Sequence, residues 1–151
     1  MEEKITFSEF DDIFLEKSWE WLNDQEIKKL TNTISFSKEE QQLWYKRIKN
    51  QKNYRIWGVK YEDVPIGACG IKNITNIDCE YWGYIGEKKF WGMGFGYQMM
   101  RMIEEIVHDM KIKTIWLKVL KDNQRALRLY MSLNYKVELE DNEFIILRKT
   151  I

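Results

Sequence analysis

The sequence is poor in the residue types that build metal centres, disulfide frameworks and flexible linkers. Its 151 residues include two cysteines, one histidine and one proline. Cys69 and Cys79 stand in no C-x-x-C pattern and have no histidine at ligand spacing, so we expect two free core thiols and no metal site. Lys and Arg number 24, as do Asp and Glu, and this balance argues against nucleic acid or an anionic membrane as a partner.

Long apolar runs are also absent from the sequence. No stretch approaches the length that crosses a bilayer, and residues 1–4 are acidic rather than the start of an apolar signal segment. With so few cysteines, these features predict a cytoplasmic protein in a reducing compartment.

What the chain does contain is material for a core. Apolar residues make up 44% of it and aromatic residues 15%, enough buried surface to offset chain entropy and to argue against disorder. No low-complexity tract or internal repeat divides it, so we expect one domain over residues 1–151.

Local patterns predict an α/β domain with a mixed, mostly antiparallel sheet. The segment Ser37–Glu40 matches a capping box and predicts a helix with Leu43, Trp44 and Ile48 on its buried face. Asn123 is a good N-cap for a helix through Leu133. Predicted strands cover 5–7, 55–61, 66–74, 80–86, 114–120, 136–140 and 143–148; predicted helices cover 10–22, 26–30, a segment from 37, one from 94 and 123–133.

A glycine-rich loop, Trp91-Gly92-Met93-Gly94-Phe95-Gly96, joins a predicted strand to the long amphipathic helix. Such a loop favours an anion, because free N–H groups and the helix dipole meet there and glycine admits positive φ. A plain tight turn is the alternative. A Walker loop is excluded because Tyr97-Gln98 follows Gly96, and the dinucleotide fingerprint is excluded because position 97 is not glycine.

The loop and a downstream segment together resemble the GNAT acetyltransferase family. Tyr84–Gly96 is similar to the family's strand and pyrophosphate loop, usually Arg/Gln-x-x-Gly-x-Gly/Ala. The segment Asn123–Tyr135 is similar to N-x-x-A-x-x-L-Y-x-x-x-G-F. The chain departs from these patterns at Trp91, where Arg or Gln is usual, and at Asn134 and Tyr135, where Gly and Phe are usual. Asn preserves the left-handed C-cap.

The resemblance implies a single-domain GNAT fold, with about six to seven strands and about four helices. It implies acetyl-CoA as co-substrate, a core for it at about 80–135, acceptor-binding helices at about 10–50 and direct attack of an amine on the thioester. A homodimer through the closing hairpin is common in the family. The implied cofactor-binding residues are Tyr84, Ile85, Gly86, Gly92, Met93, Gly94, Phe95, Gly96, Tyr97 and Asn123.

For the proton transfers, the resemblance implies Tyr130 as general acid to the leaving thiolate, with a core aromatic as the alternative. Glu80, which opens the strand toward the cofactor, is the candidate base; the alternative is a surface or salt-bridging carboxylate. Lys118 stands where the branch that acetylates ribosomal-protein N-termini often has a carboxylate, which disfavours that branch. We expect His108 to be solvated.

The acceptor is expected to be a small-molecule amine. Trp21-Leu22-Asn23-Asp24-Gln25-Glu26-Ile27 resembles a segment of two GNAT branches, one acting on ribosomal-protein termini and one on nucleotide-linked amino sugars. The short chain and the helix from Ser37 favour the amino-sugar branch. The alternatives are a peptide N-terminus, a polyamine or an antibiotic, and, in a different class, a non-catalytic module that binds CoA.

Overall fold

A computed structural model describes residues 4–151 of the protein; residues 1–3, part of the acidic start, lie outside the described residues. The described chain forms seven strands: β1 Ile5–Glu9, β2 Arg55–Tyr61, β3 Val64–Lys72, β4 Asp78–Ile85, β5 Thr114–Leu120, β6 Lys136–Glu140 and β7 Phe144–Thr150. Five α-helices accompany them: α1 Asp12–Asn23, α2 Gln25–Leu30, α3 Lys38–Lys49, α4 Phe95–Asp109 and α5 Gln124–Ser132.

The strands form one sheet in the order β1-β2-β3-β4-β5-β7-β6. All neighbours are antiparallel except β4 and β5, which are parallel and joined through α4. This confirms the mixed, mostly antiparallel α/β fold and its single βαβ crossover, the connection that a parallel pair requires.

The two faces of the sheet carry separate apolar clusters. Residues of α4 and α5, with Tyr81 of β4, belong to the larger cluster. Residues of α1, α2 and α3 pack in the second, and Trp82 and Tyr84 of β4 lie against it. Because alternate strand residues point to opposite faces, α1–α3 and α4–α5 cover opposite sides of β4.

Both predicted N-caps are confirmed. The Ser37 hydroxyl accepts the N–H of Glu40 at 3.0 Å, and the Glu40 carboxylate accepts the N–H of Ser37 at 3.0 Å. Asn123 Oδ1 accepts the N–H of Ala126 at 3.2 Å. These local bonds satisfy donors that a helix start leaves unpaired, which is why sequence alone locates them.

Two local predictions are wrong. Leu43 is 66% exposed, and the buried positions of α3 are Gln41, Tyr45 and Ile48. Gln41 is buried because its side-chain amide donates to Leu15 O at 2.9 Å and to the Ser18 hydroxyl at 3.0 Å. The strand predicted at 66–74 runs instead from Val64 to Lys72. It begins earlier because the preceding turn needs only Glu62 and Asp63, both at positive φ, and it ends before Asn73, which is also at positive φ.

Candidate active site

Strands β4 and β5 part halfway along their length. Their register runs from Asp78 opposite Thr114 to Glu80 opposite Trp116 and stops there. Beyond this point β4 continues to Ile85 and β5 to Leu120 without pairing to each other. The resulting gap, which we call the splay, leaves main-chain groups on the facing edges without a ladder partner.

The alternation of the β3–β4 ladder decides which groups face the splay. Gly86 N–H donates to Ile66 O on β3 at 2.7 Å, so the main chain of Tyr84 also points toward β3. Gly83 and Ile85 point the other way. Ile85 C=O accepts the Trp91 indole N–H at 2.8 Å. Gly86, which the resemblance implies as a cofactor contact, therefore has its N–H bonded within the sheet. Gly83, which sequence reasoning missed, has its main chain toward the splay.

The glycine loop ends in an uncapped helix start. Gly92 and Gly94 have φ of +81° and +79°, a region that glycine enters without strain. The bond from Gln98 N–H to Gly94 O, at 3.2 Å, closes the first turn of α4, and no side chain caps this end. The N–H groups of Phe95, Gly96 and Tyr97 therefore have no partner within the helix, which suits an anion.

Arg125 adds a positive charge beside this loop. One of its terminal nitrogens lies 3.5 Å from the position that a Cβ on Gly92 would occupy. Arg125 is in the first turn of α5, two residues after the N-cap Asn123. Arg125 falls within the Asn123–Tyr135 motif, but no role could be predicted for it from the sequence. Its proximity to Gly92 depends on the tertiary packing of α5 beside the glycine loop.

Tyr130 is a residue of α5, and its ring packs against Tyr81 of β4. Its ring is 6.4 Å from that of Tyr81 and 6.0 Å from that of Tyr135. Burial raises the pKa of the Tyr130 hydroxyl to about 12. The hydroxyl therefore remains protonated at neutral pH and available as a hydrogen-bond donor.

Glu80 sits at the base of the splay, on the face covered by α1–α3. Its carboxylate accepts the side-chain N–H of Asn73 at 2.9 Å and lies 3.9 Å from the Lys72 ammonium. Its side chain is 13% exposed. Glu80 therefore forms an ion pair with Lys72, as the salt-bridging alternative predicts. Its carboxylate nevertheless lines the cleft described below.

A cleft of about 1060 Å³ connects these features. Its loop wall consists of lining residues in 90–97 and 123–130, and its helical wall consists of lining residues in 10–47. Among the residues predicted from the sequence, Gly86 and Met93 do not line it. Those that do are Glu80, Tyr84, Ile85, Gly92, Gly94, Phe95, Gly96, Tyr97, Asn123 and Tyr130.

The two walls are tied together near the glycine loop. Trp21 of α1 covers Gly86 so closely that a Cβ there would lie 2.2 Å from the indole. The Trp21 indole N–H donates to Glu87 at 2.9 Å, and the Lys88 ammonium lies 2.8 Å from Asp24. The Trp-x-Asn-Asp segment therefore joins the helical wall to the strand that leads into the loop.

The remaining candidates lie away from the cleft. Cys69 and Cys79 are buried and free, and burial raises the pKa of both thiols, that of Cys79 to about 12. His108 is 76% exposed on α4, as expected. Within residues 4–151, no cluster of three His, Cys, Asp or Glu side chains is arranged to hold a metal. No helix in that range has the length and apolarity to cross a membrane.

Comparison with known proteins identifies this arrangement. A family model described as Acetyltransferase (GNAT) family matches residues 15–135. The chain belongs to the GNAT acetyltransferase family. It is thus an acyltransferase that uses acetyl-CoA as acetyl donor and an amine as acceptor. The predicted fold is confirmed, as is the resemblance of the two sequence motifs to the GNAT family.

Individual proteins are similar to this chain over most of its length. Acetyltransferase PseH of Campylobacter jejuni (strain 81-176) is 26% identical over 138 residues, covering 91% of this chain and 87% of that protein. A domain from Methanocaldococcus jannaschii has a TM-score of 0.86 at 20% identity, covering 99% of each chain. A spermidine N-acetyltransferase from Vibrio cholerae, in complex with CoA and spermine, has a TM-score of 0.85 at 17% identity, with 97% and 95% covered. The two structures share the GNAT fold.

Proposed function

We propose that this protein transfers the acetyl group of acetyl-CoA to a primary amine of a nucleotide-linked amino sugar. The observation that carries the proposal is the charge of the cleft. Of its two acids, Glu40 is engaged in the α3 capping box and Glu80 by Asn73 and Lys72. Arg47, Lys118 and Arg125 also line it, and none of the three has a carboxylate within 4.0 Å among the described residues.

Three cations that form no ion pair among the described residues favour anionic ligands. Arg125 beside Gly92 suits the phosphates of the donor, because charge-assisted contacts to phosphate are the strong ones. Arg47, on α3, and Lys118, on β5, remain for the acceptor. A nucleotide-linked sugar brings phosphates to this half of the cleft, whereas a polyamine brings positive charge and needs free carboxylates.

The aromatic lining supports the same acceptor. On the helical wall, Trp44 packs edge-on against Tyr54, with ring centroids 6.3 Å apart, and both line the cleft. Trp82 stacks on Tyr84 nearby, at 6.3 Å. Aromatic faces offer stacking surfaces for a nucleobase or sugar ring. The resemblance of Trp21–Ile27 to a segment of the amino-sugar branch is consistent with the same acceptor.

On this proposal, main-chain groups and one arginine hold the donor. The N–H groups of the glycine loop and of the first turn of α4 would bind the pyrophosphate, together with Arg125. Gly83 and Ile85 N–H would bind the pantetheine arm at the splay, in the place assigned from the sequence to Tyr84, Ile85 and Gly86. Bound there, acetyl-CoA supplies an acetyl thioester to an amine arriving from the helical wall.

The reaction then requires that the amine nitrogen lose a proton and that the leaving sulfur be stabilised. The neutral amine nitrogen forms a bond to the acetyl carbon as the carbon–sulfur bond breaks, and the sulfur leaves as thiolate. Glu80 would accept the proton that the nitrogen loses, directly or through water. Tyr130 would donate a hydrogen bond to the leaving sulfur. With its pKa raised to about 12, full proton transfer from Tyr130 to a thiolate is uphill, so stabilisation by the hydrogen bond is its main role.

A thiol-release assay with acetyl-CoA tests the acceptor. The acceptors are a nucleoside-diphosphate-linked amino sugar, the same amino sugar without the nucleotide, spermidine, an aminoglycoside and a peptide N-terminus. We expect the highest kcat/KM for the nucleotide-linked sugar, and a loss of about tenfold or more without the nucleotide, equivalent to one charged contact. A higher kcat/KM for any of the other classes would refute the proposed acceptor. Thermal shift with acetyl-CoA tests donor binding separately.

A further inference from the structure

Lys118 occupies a position next to the proposed reaction centre. In β5, Ile115, Leu117 and Val119 are buried in the larger cluster, so Lys118 points to the opposite face with Trp116. Trp116 is the residue paired with Glu80, where β4 and β5 part. Lys118 is two residues further on, about 7 Å along the strand. Glu80 and Lys118 therefore flank the opening of the splay on the face that the acceptor approaches.

The ammonium of Lys118 forms no ion pair within 4.0 Å among the described residues. Its Nζ lies 4.1 Å from the centre of the Phe144 ring, and Lys118 and Phe144 both line the cleft. Such a contact attracts the cation to the ring face without neutralising its charge.

The charged groups around Lys118 are few. Asp141, at the turn before β7, accepts N–H groups of Phe144 at 2.7 Å and Glu143 at 2.8 Å. Those bonds, and then the charges of Lys118 and Lys121, lower the pKa of Asp141. Lys121 is itself paired with Glu140 at 3.0 Å. Glu80 lies on the other side of the splay.

We propose that Lys118 selects acceptors by charge: it disfavours the protonated form of the bound amine and excludes amines that carry a second positive charge near the reacting nitrogen. The inference rests on the proposed function, because it requires the acceptor to meet the acetyl group at the splay. Nothing in the proposed chemistry of Tyr130 or Glu80 needs a cation here, so this role is additional to theirs.

The physical basis is the repulsion of like charges. Only the neutral amine attacks, and a fixed cation within about 7 Å lowers the pKa of an ammonium by about one unit or less where water screens it. Glu80 acts in the opposite direction, because a carboxylate stabilises an ammonium. Lys118 therefore offsets the tendency of Glu80 to trap the acceptor in its unreactive form, and it repels a polyamine more than a phosphate-bearing sugar.

The test compares Lys118→Met with Lys118→Arg and with Lys121→Met as matched control. Methionine keeps apolar contact with Phe144 and removes the charge, whereas arginine restores it. We measure the pH profile of kcat, which reports the bound state, with the nucleotide-linked amino sugar, and the ratio of kcat/KM for that acceptor to that for spermidine. Melting temperature and acetyl-CoA affinity check that each variant is folded and binds donor.

For Lys118→Met we expect the acid limb of kcat to move up by about half to one pH unit and the acceptor ratio to fall about tenfold toward spermidine. Lys118→Arg should restore both, and Lys121→Met should change neither. If the acid limb of kcat does not move in Lys118→Met and kcat/KM falls by the same factor for all acceptors, the proposed role of Lys118 is refuted. If the wild-type protein acetylates no amino sugar, the proposed function is refuted instead. The acid limb of kcat, measured with whichever amine is acetylated, would then still test the role of Lys118.

Discussion

The loop wall and the helical wall of the cleft are built by different means. The loop wall presents mainly backbone: the N–H groups that follow Gly94 and the uncapped start of α4. The helical wall presents side chains, among them Trp44 and Arg47 on α3. Contacts made by main-chain N–H groups are retained when side chains are substituted. Contacts made by side chains are altered by each substitution.

Trp91 illustrates this difference. It stands where the family usually has Arg or Gln, yet its indole N–H is used to hold Ile85 O at 2.8 Å. Trp91 thus fixes the loop to β4, and the N–H groups that begin α4 have no side-chain cap. We therefore expect substitutions on the two walls to separate donor effects from acceptor effects.

The largest effect is expected at Tyr130, which the proposed mechanism places at the leaving sulfur. Tyr130→Phe removes the hydroxyl and should lower kcat about 10²- to 10⁴-fold for every acceptor, with little change in acetyl-CoA affinity. Steady-state kinetics and calorimetry measure the two quantities. Any fall in the kcat of the wild-type protein between neutral pH and about pH 10 should also be seen in the variant. The reason is that the Tyr130 hydroxyl, with a pKa of about 12, does not ionise in that range. An unchanged kcat would remove Tyr130 from the mechanism.

Glu80→Gln should reduce kcat about 10²-fold, because the amide cannot accept the amine proton. The control is Asn73→Gly, which removes the hydrogen bond to Glu80 but suits the positive φ of position 73, 51°. We expect the control to retain kcat within a few-fold. Comparable losses in both variants would mean that Glu80 matters for local structure alone.

Arg125→Met should affect the loop wall only. Losing one charge-assisted contact is expected to weaken acetyl-CoA binding about tenfold and leave kcat at saturating donor unchanged. Arg128, exposed on the same helix and outside the cleft lining, is the matched control as Arg128→Met. Equal donor affinity in both variants would exclude Arg125 from donor binding.

The smallest effect is expected at Gly94, where a Cβ would meet no atom within 4 Å. Gly94→Ala is strained only by its φ of +79°, so it should lower the free energy of unfolding by about 1–2 kcal/mol. Gly86→Ala, which would press on Trp21, should be more destabilising. Chemical denaturation of the two variants compares them; an equal cost would show that the tie between the walls contributes little.

Much of the fold could be predicted from the sequence, because its signals are local. The strand 114–120 was predicted with the observed bounds, and both N-caps were located by their own side chains. Leu43 was misplaced because helical periodicity identifies apolar spacing but not which neighbours cover it. Here α3 turns Tyr45 and Ile48 into the core and leaves Leu43 beside the cleft.

The candidate site could be predicted from the sequence only in part. Motif order located the glycine loop, Asn123 and Tyr130. Gly83 escaped notice because the ladder partner of each β4 residue decides which main-chain groups are free, and that depends on β3. Arg125 escaped notice because its distance from Gly92 depends on the packing of two helices.

The sequence by itself determined the elements, the anion-suited loop and the family, since each rests on residues close together in the chain. Tertiary structure alone decided the splay, the tie of Trp21 to Gly86 and Glu87, and the set of cleft cations without counter-ions. The physical reason is that a free N–H or an unpaired charge is defined by what does not contact it, and only the packing of distant segments settles that.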